Sequence, residues 1–478
     1  MNAKISLLSE DALAGDTALG PALETIAALP DVERVICCVD LHRKARAESP
    51  SSVAVATSSC VFPKLTSVAQ NCGMALLRTG LALDDFPDGR LDELFARWRR
   101  SDGEAFERPP VSLEDLRRIL CLGAGAVIET SGLPPRSLEN VEFGGCIGEP
   151  EILPWGDILA VVPRFTLERS RYGFGVVPAG NHFVEVQCVE EIVDAGTSDR
   201  WGLRLGEVVV MIHADGGLIS DDLGNLYANR SVTSGAAKLL YAARRFALHI
   251  PGASPRAAAE RRRLYFTSDP LVALDPESVE GRRAMTAMRF AMNAGYASRL
   301  SAAGRLSRVL GEMFPGRAVA PEVLCDFSHN SILPETVRGR FSWVHRHNAA
   351  RVVPGRLVFL PGYSWTSSYI CRGGDGAVQT IFTMDHGAGQ TIDRLKAAGR
   401  LRRLDAVRPT RAYGNESGAP VLVPHWSDEG VDEVVRALAA RDISHPVARL
   451  RPLAGYRFHW KGRLVRLRER FALGVSRL

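Results

Sequence analysis

Cysteine and histidine stand beside small or polar residues in five short segments, and those segments are spread over most of the chain. They are NCG at Asn71–Gly73, GNHFVEV at Gly180–Val186, MIHADGG at Met211–Gly217, CDFSHNS at Cys325–Ser331 and TMDHGAGQTIDR at Thr383–Arg394. They form no tight cluster in sequence. If they act together, the fold must draw most of the chain around one point. One thiol and several dispersed imidazoles suit a metal site assembled in this way. In the last segment His386 is followed by Gly387-Ala388-Gly389. Small residues let the backbone approach a bulky ligand and reach positive φ. A histidine beside such a loop can reach a phosphate or be modified by one. Taken singly, each signal has a plainer reading: a His-Gly pair is more often a turn, and a free cysteine is more often a small buried hydrophobe.

The 478 residues are enough for two or three ordinary domains or one large one. Hydrophobic residues make up 46% and charged residues 24%, as in soluble globular proteins. The formal net charge of +5 permits a nucleic-acid partner without requiring one. Nine cysteines, with no C-x-x-C pair, argue against a disulfide framework and for a reducing compartment. The first sixteen residues carry acids and no long apolar core, so they do not read as a signal peptide. No run approaches the ~18–20 apolar residues of a membrane span. A cytoplasmic protein without membrane association is expected.

Pro21–Leu29 reads as a short helix and Val35–Leu41 as a buried strand ending on Asp40 and His42. A second strand is expected over Val53–Val61. Leu91–Trp98 and Ser112–Ile128 have helical spacing. Ser112 with Asp115 forms an acidic variant of the capping box. The polar stretch 99–110 between them reads as a loop, and Leu133–Pro154 as a connector or partner-facing insertion. Alternation through Phe183–Val186 places His182 with Val184 on one face, and Asn181, Phe183 and Glu185 on the other. Val208–His213 reads as a strand and Ser254–Arg263 as an Arg-rich linker. Met285–Phe314 is the longest helical candidate, its basic residues reading as a solvated face. Asp432–Arg441 is helical. Strands and helices alternate without a clean βαβ repeat, which suits an α+β fold.

Together the five segments, in this order, resemble the RtcB family of RNA-splicing ligases. That family carries Asp-x-Asn-Cys-Gly, Gly-Asn-His-Phe-x-Glu-Val, Ile-His, His-Asn and His-Gly-Ala-Gly runs. The likeness spans roughly Leu29 to Gly462. It implies one large α+β catalytic domain with a metal-containing cleft over 35–462, preceded by an N-terminal segment (1–34) and followed by a basic extension (463–478). It implies metal ligation by Cys72, His182, His213 and His329. It implies nucleotide binding by Asn181, Glu185, Ser368, Gly387, Ala388, Gly389 and Lys461, with His386 as nucleophile. The cofactors implied are one or two Mn²⁺ ions and GTP. The reaction implied joins an RNA 3′-phosphate or 2′,3′-cyclic phosphate to a 5′-hydroxyl through a guanylyl-histidine, in tRNA splicing or RNA repair. A monomer is expected, with an activating protein as a further partner.

The chain departs from the family pattern at several positions. Ala69 stands where the family has an aspartate two residues before the Asn-Cys pair, so one carboxylate ligand is missing. The expected result is one tight metal site and a second, weaker one, unless Asp40 or Asp215 replaces the carboxylate. Gln390 stands for an arginine, and His347 for a lysine in the segment that keeps His345, Arg346 and Arg351. Tyr363 and Trp365 put two rings in a loop where the family has a serine and a glycine. These departures leave two alternatives open: a ligation-deficient, metal- and nucleotide-binding RNA-end binder, and a metal-dependent phosphohydrolase.

Overall fold

The computed structural model describes residues 2–14, 16–44, 47–230, 235–267, 271–416 and 418–458. Two sheets dominate it. The larger orders its strands Leu357–Leu360, Ser368–Gly373, Ser444–Arg457, Phe183–Ile192, Glu207–Ala214, Gly73–Ala82 and Glu322–Ser328, all antiparallel to their neighbours. Ser444–Arg457 forks: its first half pairs with Ser368–Gly373, and its second half runs parallel to Thr410–Gly414. The smaller sheet runs Ile5–Leu7, Val32–His42, Ser51–Thr57, Arg340–His347 and Asn330–Val337. Ala349–Arg351 and Thr383–Asp385 make a separate pair. The mixture of helix and largely antiparallel sheet is the α+β class.

Strand alternation decides where the core sits. On one face of the large sheet Ala75, Leu77, Val184, Val186, Val210 and Ile212 pack with Ala291, Ala294 and Ala297 of the helix Val279–Met313. Alanines on that helix let it lie close to the sheet. On the other face Met74, Leu76, Val209 and Met211 meet Phe359, Ile370 and Cys38, which ties in the smaller sheet. All nine cysteines are free. Among the described residues no helix is long and apolar enough to cross a membrane.

Several sequence expectations need correction. The stretch 99–107 is helical, as part of Asp88–Glu107. Its Asp102 is buried, accepting from Arg305 at 2.7 Å and from the Tyr456 hydroxyl at 2.8 Å. A buried ion pair overrides the loop-like composition. Ser254–Arg263 opens the helix Pro255–Tyr265, with Ser254 as its N-cap. The strand read over Val53–Val61 is Ser51–Thr57. It stops because Asp31 takes the amides of Ser59 and Cys60 at 2.8 and 2.7 Å. The connector Leu133–Pro154 is anchored: Glu142 accepts from Ser328 N at 2.9 Å and from the Tyr296 hydroxyl at 2.6 Å. The capping box is present, with Asp115 N donating to Ser112 Oγ at 3.0 Å and Ser112 N to Asp115 Oδ2 at 2.9 Å. Ile5–Leu7 pairs with Val35–Cys37, so the N-terminal residues join the smaller sheet.

The basic face expected on the long helix is partly internal. Arg299 and Arg305 are buried, each bonded to a buried carboxylate. The basic segment near 345 is internal too. His345 Nε2 accepts from Phe62 N at 2.9 Å, so its Nδ1 must donate to Val55 O at 3.0 Å. Arg346 is bonded to Glu335, and His347 is buried against Ser49. None of these three forms a surface for nucleic acid.

Candidate metal centre and nucleotide cavity

Register explains how distant residues meet. Gly73 pairs with both Ala214 and Ser328, and Phe183 pairs with His213. Cys72, His182, His213 and His329 therefore all fall at the same end of four adjacent strands. The turn that presents Cys72 is built by its neighbours. Asn71 has φ +52, a conformation that asparagine tolerates better than most residues. Its side chain donates to Met292 O at 2.6 Å, and its Oδ1 accepts from Arg299 at 3.0 Å. A Cβ on Gly73 would lie 2.5 Å from Phe327 O and 2.7 Å from Arg299 Nη1. Only glycine fits there.

Cys72 Sγ lies 3.1 Å from His182 Nε2 and 3.2 Å from His213 Nε2. His213 Nδ1 can only donate to Asn181 O, 3.1 Å away, so Nε2 is left as a bare acceptor facing the sulfur. That second contact fixes the tautomer a metal ligand needs. His329 packs against His213 with ring centroids 5.1 Å apart, and against His386 at 4.8 Å. His329 is fully buried, and neither of its ring nitrogens has a hydrogen-bond partner. Ligating atoms of Cys72, His182 and His213 lie within 4.8 Å of one another. Soft and borderline donors, all buried, with an orphaned imidazole alongside, fit a divalent transition metal. His182 departs from the expected alternation. The strand starts at Phe183, so its ring is free to join His213 instead of sharing Val184's face.

Beside this cluster a cavity of about 400 Å³ opens between the two sheets. Asn181, Phe183, Glu185 and the His386–Gln390 loop line it, with Lys44 and Tyr363. Burial raises the Glu185 carboxyl to about 7. Asp40 and Asp385 are also pushed to about 7, by burial and, for Asp40, by the neighbouring Asp385 charge. Asp40 accepts from Gln390 N at 3.2 Å and Thr391 N at 2.7 Å, capping the helix Gly389–Ala397. Asp385 accepts from Val39 N and Asp40 N at 3.1 and 2.7 Å. These two carboxyls lock the His386 loop onto the smaller sheet. His386 is held down to about 3, first by burial and then by Lys44, His42 and His347. Its imidazole is neutral at physiological pH.

Ser368 does not line the cavity. Its hydroxyl is buried between Gln187 Nε2 at 3.2 Å and Gly362 N at 3.1 Å. Tyr363 occupies the wall and donates to Asp393 at 2.8 Å. Trp365 packs on Trp426 instead, with Lys396 Nζ 4.3 Å from its ring. Lys461 and the extension 463–478 lie outside the described residues.

The family model described as tRNA-splicing ligase RtcB matches residues 22–457. The chain belongs to the RtcB family. It is 29% identical over 430 residues to the tRNA-splicing ligase RtcB of Methanopyrus kandleri, covering 81% of this chain and 41% of that protein. It is 27% identical over 418 residues to the protein of the same name from Pyrococcus horikoshii, covering 81% and 44%. It is 28% identical over 366 residues to the RNA-splicing ligase RtcB of Mycobacterium tuberculosis, covering 71% and 75%. The chain thus spans less than half the length of the first two relatives and about three quarters of the third. For this RtcB-family chain, the signal missed in the sequence is Arg299. It donates to Asn71 O, Ala214 O and Asp326 Oδ1 at 2.9, 2.9 and 2.6 Å. It thereby ties the Cys72 turn to the end of the His213 strand. An arginine inside an alanine-rich, sheet-facing stretch was the available clue.

Protonation sets a testable condition on metal uptake. Burial raises the Cys72 thiol well above its usual range, with Asp215 adding to the effect. His182 is lowered to about 4 by burial, and His213 and His329 further below their usual value. From about pH 5 to 8 the imidazoles are already neutral while the thiol is protonated. Binding through the thiolate must release at least one proton. Mn²⁺ affinity should therefore rise about tenfold per pH unit across this window, and the slope should shrink in Cys72→Ser. Titrations at several pH values check this. A pH-independent affinity would remove Cys72 from the metal.

Proposed function

We propose that this protein is a GTP- and Mn²⁺-dependent RNA ligase, with 35–462 as its catalytic domain. It joins 3′-phosphate or 2′,3′-cyclic phosphate ends to 5′-hydroxyl ends. Membership of the family and the ligase names of the relatives support the reaction class. The observation that carries the reading is the placement of a neutral His386 in a cavity, one imidazole away from the thiol–histidine cluster. A neutral imidazole is a competent nucleophile at neutral pH. It would attack the α-phosphorus of GTP, expel pyrophosphate and form a guanylyl-histidine. The guanylyl group then passes to the RNA 3′-phosphate, and the 5′-hydroxyl displaces GMP. Divalent ions held by Cys72, His182, His213 and His329 would neutralise phosphate charge.

Asn181 and Glu185 line the cavity at the strand end, where they would hold the nucleotide. Glu185 titrates near 7, so it can donate as well as accept a hydrogen bond to a base or sugar. The Gly387-Ala388-Gly389 loop gives the phosphates close backbone approach, and Lys461 is assigned to the guanine nucleotide by resemblance. The test is incubation with GTP labelled at the α-phosphate, followed by a denaturing gel. A band on the chain with Mn²⁺ supports the ligase. No band, with GTP still bound, leaves the second reading, a nucleotide-binding relative that does not ligate. Ala69 and Gln390 favour that reading. Gln390 is exposed at the rim of the cavity. Gln390→Arg should therefore raise the labelling rate on the order of tenfold, less than a fully buried charge would give. An unchanged rate would show that this position does not face the transferring phosphate.

A further inference from the structure

We propose that Asp215 supplies the carboxylate that Ala69 lacks, acting as a ligand beside Cys72 and His182, so that the centre holds a second divalent ion. The inference rests on the metal centre assigned above. His213, with His329 beside it, presents Nε2 3.2 Å from Cys72 Sγ. His182 Nε2 sits 3.1 Å from Cys72 Sγ and 3.8 Å from Asp215 Oδ2. Ligand atoms at about 2.0–2.3 Å from one ion lie roughly 3–4 Å apart. The separations around His182 Nε2 are of that size, so thiolate, imidazole and carboxylate can share an ion there without rearrangement.

Asp215 is positioned by the backbone around it. It follows directly on the strand Glu207–Ala214 that carries His213. Its Oδ1 accepts from Gly217 N at 2.7 Å, which turns the other oxygen toward His182. Gly217 sits at φ +63, a conformation glycine adopts freely. The carboxylate is 2% exposed. Asp40, the other candidate replacement, is occupied in capping the helix behind His386. Ala69 contributes its carbonyl to the Cys72 turn, accepting Cys72 N at 3.2 Å, and has no side chain that could ligate. The carboxylate has thus moved from the turn before Cys72 to the loop after His213.

The experiment loads the full chain with Mn²⁺, measures ions per chain after equilibrium dialysis, and records the electron paramagnetic resonance spectrum. Wild type should hold two ions and give an exchange-coupled signal. Asp215→Asn keeps the Gly217 hydrogen bond. It should hold one ion tightly, with the second weakened at least tenfold, and lose the coupled signal. Adding Ala69→Asp to Asp215→Asn should restore both ions and the coupling, which also shows that the variant folds. Asp221→Asn, which removes the other acid whose charge reaches His182, should retain both ions. Two ions in Asp215→Asn, or loss of the second ion in Asp221→Asn instead, overturns the proposal. A wild type with one ion that Cys72→Ser abolishes also overturns it, but leaves the metal centre standing. A wild type with no ion overturns both.

Discussion

His386→Ala should abolish covalent labelling by α-labelled GTP. The expected loss is more than about a thousandfold, since the phosphoramidate bond is formed on the His386 imidazole that the variant removes. The variant should still bind GTP, because Asn181, Glu185 and the glycine loop remain. Binding is measured by equilibrium dialysis and labelling by denaturing gel, so the two effects separate. Labelling of His386→Ala at the wild-type rate would place the nucleophile elsewhere. His329 would then be examined first, because its ring is 4.8 Å from that of His386 and both its nitrogens are without partners.

The second large effect is expected at Arg299. Its guanidinium is completely buried and holds three elements: the Asn71 turn, the end of the His213 strand at Ala214, and Asp326. Arg299→Met keeps the volume and removes the charge. Asp326 is then left buried without its cation, which typically costs about 3–5 kcal/mol. Denaturant unfolding should show that loss. Mn²⁺ affinity should fall in the same variant, because the turn carrying Cys72 is no longer fixed to the strand carrying His213. The double variant Arg299→Met, Asp326→Leu should recover much of the stability but little of the metal affinity. Equal recovery of both would mean that Arg299 acts on the fold alone.

The candidate site was more legible in the sequence than the fold. Cys72, His182, His213, His329 and His386 stand in short segments whose small neighbours announce a backbone constraint, and the structure brings all five together. Gly73 shows why: the glycine is required by the approach of Phe327 and Arg299. What escaped was set by tertiary contact. Asp102 looks like a loop residue until Arg305 and Tyr456 surround it. Arg299 looks like a solvated helix residue until Asp326 lies opposite. His347 looks like a basic surface residue, yet it is buried against Ser49. Ser368 matches a nucleotide-binding pattern, yet its hydroxyl faces Gln187. Local pattern carries no information on which side of an element another part of the chain will cover.

The forked strand Ser444–Arg457 bears on how the protein is made. In the large sheet the strands from Leu357–Gly373 and those from Phe183–Ala214 meet only across it, among the described residues. It contributes Ala448 and Leu450 to one core and Ala454 and Tyr456 to the other. Its Gly455 pairs with Glu185, on the cavity wall. A nascent chain lacking these residues cannot close the sheet, however long it waits on the ribosome. The parts of both cores that this strand fills stay open until translation has passed this point. Such late, long-range closure is slow and exposes aggregation-prone edges. Chains stopped short of Ser444 should therefore accumulate as insoluble protein or be degraded, and expression of the protein should respond strongly to chaperone supply.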